Sequence, residues 1–242
     1  MEYTKQVPLR QIGAQAIEKL KNSSVLVVGA GGLGCNVLVH LAGAGIGKIG
    51  ICDYDTVSQT NLNRQFIYNF DDIGKLKADL AVQRLSLFAP DCDFLELNFK
   101  ITDKNAADAV NGFDMVIIAC DNLKTRLIIN KACVENSIPF VNAGVAELEG
   151  NVFLYVPQKT PCLSCLYENA GESPSKNTLS AAAGIVGSFA ALNAIMFLAN
   201  GKHEDIGNFI LLDLNKNEIE KLPVKKYSGC KICNNSGRVN NG

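Results

Sequence analysis

Neither sign of charge dominates this 242-residue chain: 23 Lys and Arg stand against 24 Asp and Glu, for a net charge of −1. With no global basic field, bulk electrostatics recruits no polyanion, and nucleic acid is not expected as a partner. The opening MEYTKQVPLR has none of the apolar core that a secretory signal carries. A single apolar run, Ala181–Ala199, is long enough to suggest a membrane span. Gly184, Gly187, Ser188 and Asn193 interrupt it and no second run accompanies it, so it reads as a buried helix, and no membrane is expected. His40 and His203 are the only histidines, are isolated from each other, and are assigned no role. No internal repeat is present. What remains is an ordinary globular balance, 48% hydrophobic and 19% charged, at a length suited to one sizeable α/β domain.

Cysteine, by contrast, is plentiful: there are nine. Without a secretory signal they point to a reducing compartment, with the cytoplasm as the expectation, where metal or catalytic roles outweigh disulfides. Cys162 and Cys165 form one C-x-x-C and Cys230 and Cys233 another. Two such pairs match a tetrahedral zinc site, with every position filled by protein and none left open for chemistry. The rival reading is a redox dithiol, which needs only one pair. Cys35, Cys52, Cys92, Cys120 and Cys133 lie mostly in apolar contexts, where cysteine acts as a small hydrophobe. None falls between Glu168 and Ser180, a polar, turn-rich stretch that reads as a mobile loop.

The stretch Ser24–Arg64 organises the rest. A buried-strand pattern, Val25 to Val28, breaks into Gly29, Gly31 and Gly34 in a G-x-G-x-x-G arrangement, with Gly32 inside it. Such glycines permit a tight turn, close backbone approach to phosphate oxygens, and entry into a helix whose N-terminus favours negative charge. A second strand, Lys48–Cys52, ends at Asp53, close to the spacing of about 20 residues at which a carboxylate meets a ribose hydroxyl. The pattern between strand and helix, with its acidic residue in place, reads as a nucleotide site.

Strands and helices alternate onward. Helices are expected over Arg10–Leu20, Leu33–Ala44, Asp71–Phe88, Asp103–Asn111 and Thr125–Glu135. Strands are expected over Phe94–Phe99, Met115–Ala119, Pro139–Asn142 and Val152–Val156. Asn208–Asp213 and Glu218–Leu222 read as a C-terminal antiparallel pair. The fold class that follows is α/β: a doubly wound, mostly parallel Rossmann-like sheet carrying a structural zinc site. The whole chain, 1–242, is expected to form one unit. Its nucleotide-binding half is about 1–150, its zinc and loop half about 151–233, and its frayed tail 234–242.

In such sheets ligands sit beyond the carboxyl ends of the strands, where Asp53 and Asp121 both fall. Asp121 has two readings, a Mg²⁺ ligand or the N-cap of the helix that follows it. Arg64 and Lys77, with Asn61, Asn63 and Gln65 around them, form a cationic set suited to phosphate. The competing reading makes Lys77 merely part of a solvated helix start.

Taken together, VLVVGAGGLG, DYDTVSQTNLNRQF, GKLK, ACDN and the two C-x-x-C pairs in order resemble the ThiF/MoeB/HesA family, bacterial relatives of the ubiquitin-activating enzymes. The likeness spans Tyr3–Cys233. It implies an ATP-dependent adenylyltransferase that activates the C-terminal glycine carboxylate of a ubiquitin-like sulfur carrier ending in Gly-Gly. It also implies a homodimer. On that template Gly32 lies against ATP, Asp53 holds the ribose, Asn61 and Arg64 lie at the phosphates and Lys77 neutralises them. Asp121 binds Mg²⁺ with Asn122 beside it. Two departures stand out. The family's opening R-Y-x-R-Q, whose second arginine reaches the neighbouring subunit's ATP, here reads Tyr3-Thr4-Lys5-Gln6, so Lys5 keeps the charge but not the bidentate geometry. Members that bind their carrier covalently use a cysteine in the loop after the first C-x-x-C, and this loop has none, so adenylation without a thioester is expected. Alternatives are the same chemistry on a threonylcarbamoyl-tRNA or a peptide, a nicotinamide-dependent oxidoreductase, and a non-catalytic zinc-stabilised interaction module.

Overall fold

A computed structural model describes residues 2–3, 5–10, 12–167 and 177–234. The first β–α–β unit is built from β1 (Ser24–Val28), α2 (Gly32–Ala44) and β2 (Lys48–Cys52), preceded by the short α1 (Ala14–Lys21). Then follow α3 (Lys77–Phe88), β3 (Asp93–Leu97), α4 (Ala106–Val110), β4 (Met115–Ile118), α5 (Leu123–Glu135) and β5 (Phe140–Ala146). The chain continues through β6 (Glu149–Tyr155), α6 (Leu163–Leu166), α7 (Ser180–Asn200), β7 (Asn208–Asp213) and β8 (Glu218–Pro223).

Among the described residues, eight strands form one sheet in the order β3-β2-β1-β4-β5-β6-β7-β8. The first five run parallel and the last three antiparallel. The antiparallel portion therefore holds three strands, one more than the expected pair. β1 is buried on both sides because its residues alternate between two cores. Val25 and Val27 pack on the face covered by α2, α3 and α7, while Leu26 and Val28 face α4 and α5. Helices on both faces make β1 a near-continuous apolar run, as a parallel central strand requires. The chain leaves β1 in one direction, through β2 and β3, and returns on the other side through β4. A crevice opens where the order reverses, between the carboxyl ends of β1 and β4.

Expected and observed boundaries differ in places. The helix expected over Asp71–Phe88 is broken: Phe70–Asp72 forms a single 3₁₀ turn, Gly74 adopts φ +89°, and α3 begins only at Lys77. Only glycine enters that left-handed conformation cheaply, so the chain turns there instead of continuing. The first helix starts at Ala14 rather than Arg10. The apolar run forms α7, long and apolar enough to cross a membrane by length and composition. It instead lies against α2, β5 and β6, with Val186, Ala190 and Ala194 fully buried. Most of the expected loop, 168–176, and most of the tail, 235–242, lie outside the described residues.

Candidate active site

The glycines after β1 divide by task. Gly29 has φ +100°, and a methyl group there would meet the Ala119 carbonyl oxygen at 2.8 Å. A methyl on Gly34 would lie 1.8 Å from the Gly29 carbonyl oxygen. These two let α2 pack closely against the loop. Gly31 carries no such internal demand, since the nearest atom to its missing methyl is Gln65 Nε2 at 3.6 Å. What it leaves open is the cavity, which Gly31, Gly32 and Leu33 border at the N-terminus of α2. That end of a helix is suited to an anion.

Asp53, Asn61, Arg64, Lys77, Asp121 and Asn122 all line this same cavity, so the crevice at the loop after β1 also collects residues that follow β2 and β4. The Asp53 carboxylate is almost buried and accepts hydrogen bonds from the backbone N–H of Ala30 at 2.7 Å and of Asp55 at 2.9 Å. Burial raises its pKa above the ordinary carboxylate value, against the pull of Lys77 and of the two N–H groups. Lys77 is not on a solvated face: it is 6% exposed, and its Nζ lies 3.6 Å from Asp55 Oδ2. A buried cation at a helix N-terminus opposes the helix dipole, which makes a bound anion a fitting partner. Arg64 Nη1 donates to Thr60 O at 2.9 Å and to Asn63 Oδ1 at 3.0 Å, while its methylenes would sit 3.3 Å from a methyl on Gly32. Asn61 Oδ1 accepts from Ser58 N at 3.1 Å and closes the turn that presents both residues.

The N-cap of α5 is Asn122, whose Oδ1 accepts from Thr125 N at 2.8 Å, so the capping reading of Asp121 is corrected by one residue. Asp121 is an exposed carboxylate on the cavity wall, an oxygen donor of the kind Mg²⁺ takes together with phosphates and water, so it fits that ion. Lys5 is exposed in the N-terminal turn and does not line the cavity. Cys52 and Cys120 border it, but burial pushes their thiols up to about 12 and about 11. Neither is a thiolate near neutral pH, so neither is a ready nucleophile.

A second cluster joins the two C-x-x-C pairs. The Sγ atoms of Cys162, Cys165, Cys230 and Cys233 all lie within 4.8 Å of one another, with Cys162–Cys230 at 3.7 Å and Cys165–Cys233 at 3.5 Å. Tetrahedral thiolates at a Zn–S bond of about 2.3 Å would stand about 3.8 Å apart, so the set fits zinc.

A family model described as the ThiF family matches residues 3–232. The chain belongs to the ThiF family. The chain is 34% identical over 241 residues to the adenylyltransferase and sulfurtransferase MOCS3 of Aedes aegypti, covering 97% of this chain and 55% of that protein. The chain thus spans about half the length of the MOCS3 relatives it matches. It is 33% identical to the sulfur carrier protein ThiS adenylyltransferase of Escherichia coli K12, covering 98% of this chain and 96% of that one. Among solved structures, that of E. coli MccB with ATP superposes with a TM-score of 0.81 at 26% identity, over 90% of this chain and 69% of the other.

At and behind the cavity of this ThiF-family chain stand two groups that sequence reasoning missed. Arg126 donates through Nε and Nη2 to the Cys120 carbonyl, at 3.1 and 2.8 Å, and through Nη1 to Asn142 Oδ1 at 3.2 Å. It lies one turn into α5, and only the pairing of β4 with β5 brings Asn142 to it. Tyr68, 5% exposed, donates its hydroxyl to the Ala30 carbonyl at 3.0 Å, so the glycine loop is gripped from both sides. No spacing in the sequence marked either Arg126 or Tyr68.

Proposed function

We propose that this chain is an ATP-dependent adenylyltransferase that activates the C-terminal glycine carboxylate of a ubiquitin-like sulfur carrier, in a molybdopterin, thiamine or related sulfur-transfer pathway. The observation that carries the proposal is the convergence of Asp53, Asn61, Arg64, Lys77 and Asp121 on one cavity at the glycine loop. The name of the relative at 33% identity, a sulfur carrier protein adenylyltransferase, supports a carrier as the acceptor.

In this reaction a carboxylate oxygen of the carrier attacks the α-phosphorus of ATP. The bond from that phosphorus to the bridging oxygen breaks, and pyrophosphate departs with the electron pair. The products are an acyl-adenylate and pyrophosphate. Negative charge gathers on the phosphates as the bonds exchange, so fixed cations stabilise the transition state more than the reactants. Lys77 and Arg64 are those cations, with Asn61 beside them. Asp53 would accept from the ribose hydroxyls with the lone pairs left after Ala30 and Asp55. Gly31 and Gly32 keep the loop free of side chains where the phosphates approach. Asp121, with Asn122 beside it, would hold Mg²⁺, which supplies charge neutralisation at the phosphate oxygens. No nucleophile from this chain is required, in keeping with the raised thiols at the cavity. The four cysteines would hold zinc in a closed site that fastens the segment after β6 to the C-terminal segment.

We further propose a homodimer acting in the cytoplasm, with the chain as one adenylation unit. Leu192 on α7 is half exposed, and with Leu9, Val39, Phe189 and Met196 it lines one apolar groove, which suits a second copy. Lys5 would then approach the neighbouring copy's phosphates. Incubating the chain with ATP, Mg²⁺ and a carrier ending in Gly-Gly tests the function. A carrier heavier by one adenylyl group is the expected product in the intact-mass spectrum. An unmodified carrier alongside an adenylated peptide would overturn the choice of acceptor.

A further inference from the structure

The cysteine cluster and the nucleotide cavity share a mechanical link. Both polar atoms of the fully buried Asn130 are spent inside the first C-x-x-C: its Oδ1 accepts from Leu163 N at 2.9 Å and its Nδ2 donates to Ser164 Oγ at 3.0 Å. Asn130 lies one helical turn beyond Arg126 on α5. Arg126 Nη1 also donates to Oδ1 of the buried Asn142, on β5. The Cys162–Cys165 segment therefore touches the support of Arg126 through α5. Arg126 in turn grips the Cys120 carbonyl, the residue before Asp121.

We propose that metal binding at the four cysteines sets the position of Arg126 and Asp121 in the nucleotide cavity, with Asn130 as the positioning residue that carries the coupling. The proposal rests on the adenylation reading and extends it. The physical ground is that the Leu163 N–H and Ser164 hydroxyl are held at hydrogen-bond distance from Asn130 only while the Cys162–Cys165 turn keeps its shape. Four thiolates drawn to one ion impose that shape, and without the ion that constraint is lost. Residues that orient a metal site from outside its ligands change its affinity by about 10–100-fold when altered. Coupling between two sites must also be reciprocal.

The test compares the full chain loaded with zinc and stripped by a chelator, reading ATP affinity by calorimetry and zinc affinity by competition with a chromogenic chelator. Stripping is expected to weaken ATP binding about tenfold, and saturating ATP to tighten zinc by the same factor. In the Asn130→Ala variant that factor falls towards one. An ATP affinity indifferent to zinc, or a full factor in that variant, overturns the proposal. If stripping unfolds the chain, the zinc-loaded Asn130→Ala and Arg126→Lys variants decide. Each is expected to weaken ATP, and the pair to weaken it no more than either alone; full additivity overturns the coupling. Failure of the loaded wild-type chain to bind ATP would remove the adenylation reading, and the coupling with it.

Discussion

The carboxylate of Asp53, at the end of β2, accepts a 2.7 Å hydrogen bond from the backbone N–H of Ala30, in the loop after β1. The acidic residue expected to meet a ribose thus also fixes the shape of the glycine loop. Tyr68 bonds the carbonyl of the same residue from the other side. Ligand binding and loop geometry are consequently set by overlapping groups.

Two alanine substitutions separate those roles. Gly34→Ala places a methyl 1.8 Å from a backbone oxygen and must displace α2. It is expected to destabilise the chain by more than about 4 kcal/mol, among the largest single-residue effects. Gly31→Ala meets nothing closer than 3.6 Å. Its melting temperature should stay within about 2 °C of wild type, consistent with the few tenths of a kcal/mol typical of neutral surface changes, while its ATP affinity falls. Paired thermal melts and nucleotide titrations check this, and an equal stability loss in both variants would refute the division.

Chelation should act on stability as well as on nucleotide binding. At free zinc about a thousandfold above its Kd, the bound ion stabilises the fold by about 4 kcal/mol. For a chain of this size that corresponds to a melting temperature lowered by about 8–16 °C on stripping. Cys230→Ser should lose most of this response. An unchanged melt after verified metal removal would show that the cysteines pack without an ion.

A pH effect is expected at His203. Its Nδ1 accepts the Asp205 backbone N–H at 3.1 Å, and burial lowers its pKa below 6.5 despite the nearby Asp205 carboxylate. With the folded value depressed, the unfolded chain takes up the proton first as pH falls. The stability contributed by neutral His203 is therefore complete above about pH 6.5 and is lost below it, down to the folded value. Denaturant midpoints between pH 7.5 and 5.5 should fall more steeply in wild type than in His203→Gln. Parallel slopes would contradict the assignment.

Local chemistry made part of the site legible in the sequence. Gly29, Gly34 and Asp53 lie on one β–α–β unit, and each C-x-x-C closes within a single turn, so spacing alone described them. Arg64 and Lys77 were legible as residue types, but the burial of Lys77 depends on Gly74 breaking the helix expected from Asp71. Arg126, Asn130 and Asn142 were not legible, because their meaning comes from the β4–β5 pairing and from α6 docking on α5, contacts that join residues far apart in the chain. The Asp121–Asn122 assignment turned on a single residue of helix boundary, the scale at which helix ends are least determined by pattern.

The most direct test of the central claim is exchange of labelled pyrophosphate into ATP, with Mg²⁺ and a purified carrier ending in Gly-Gly. Exchange is expected only when that carrier is present. Lys77→Ala or Asp121→Ala should reduce it at least about a hundredfold, the scale seen when one group stabilising transition-state charge is removed, with melting temperature largely kept. Undiminished exchange in those variants, or none in the wild-type chain with any such carrier, would contradict the account.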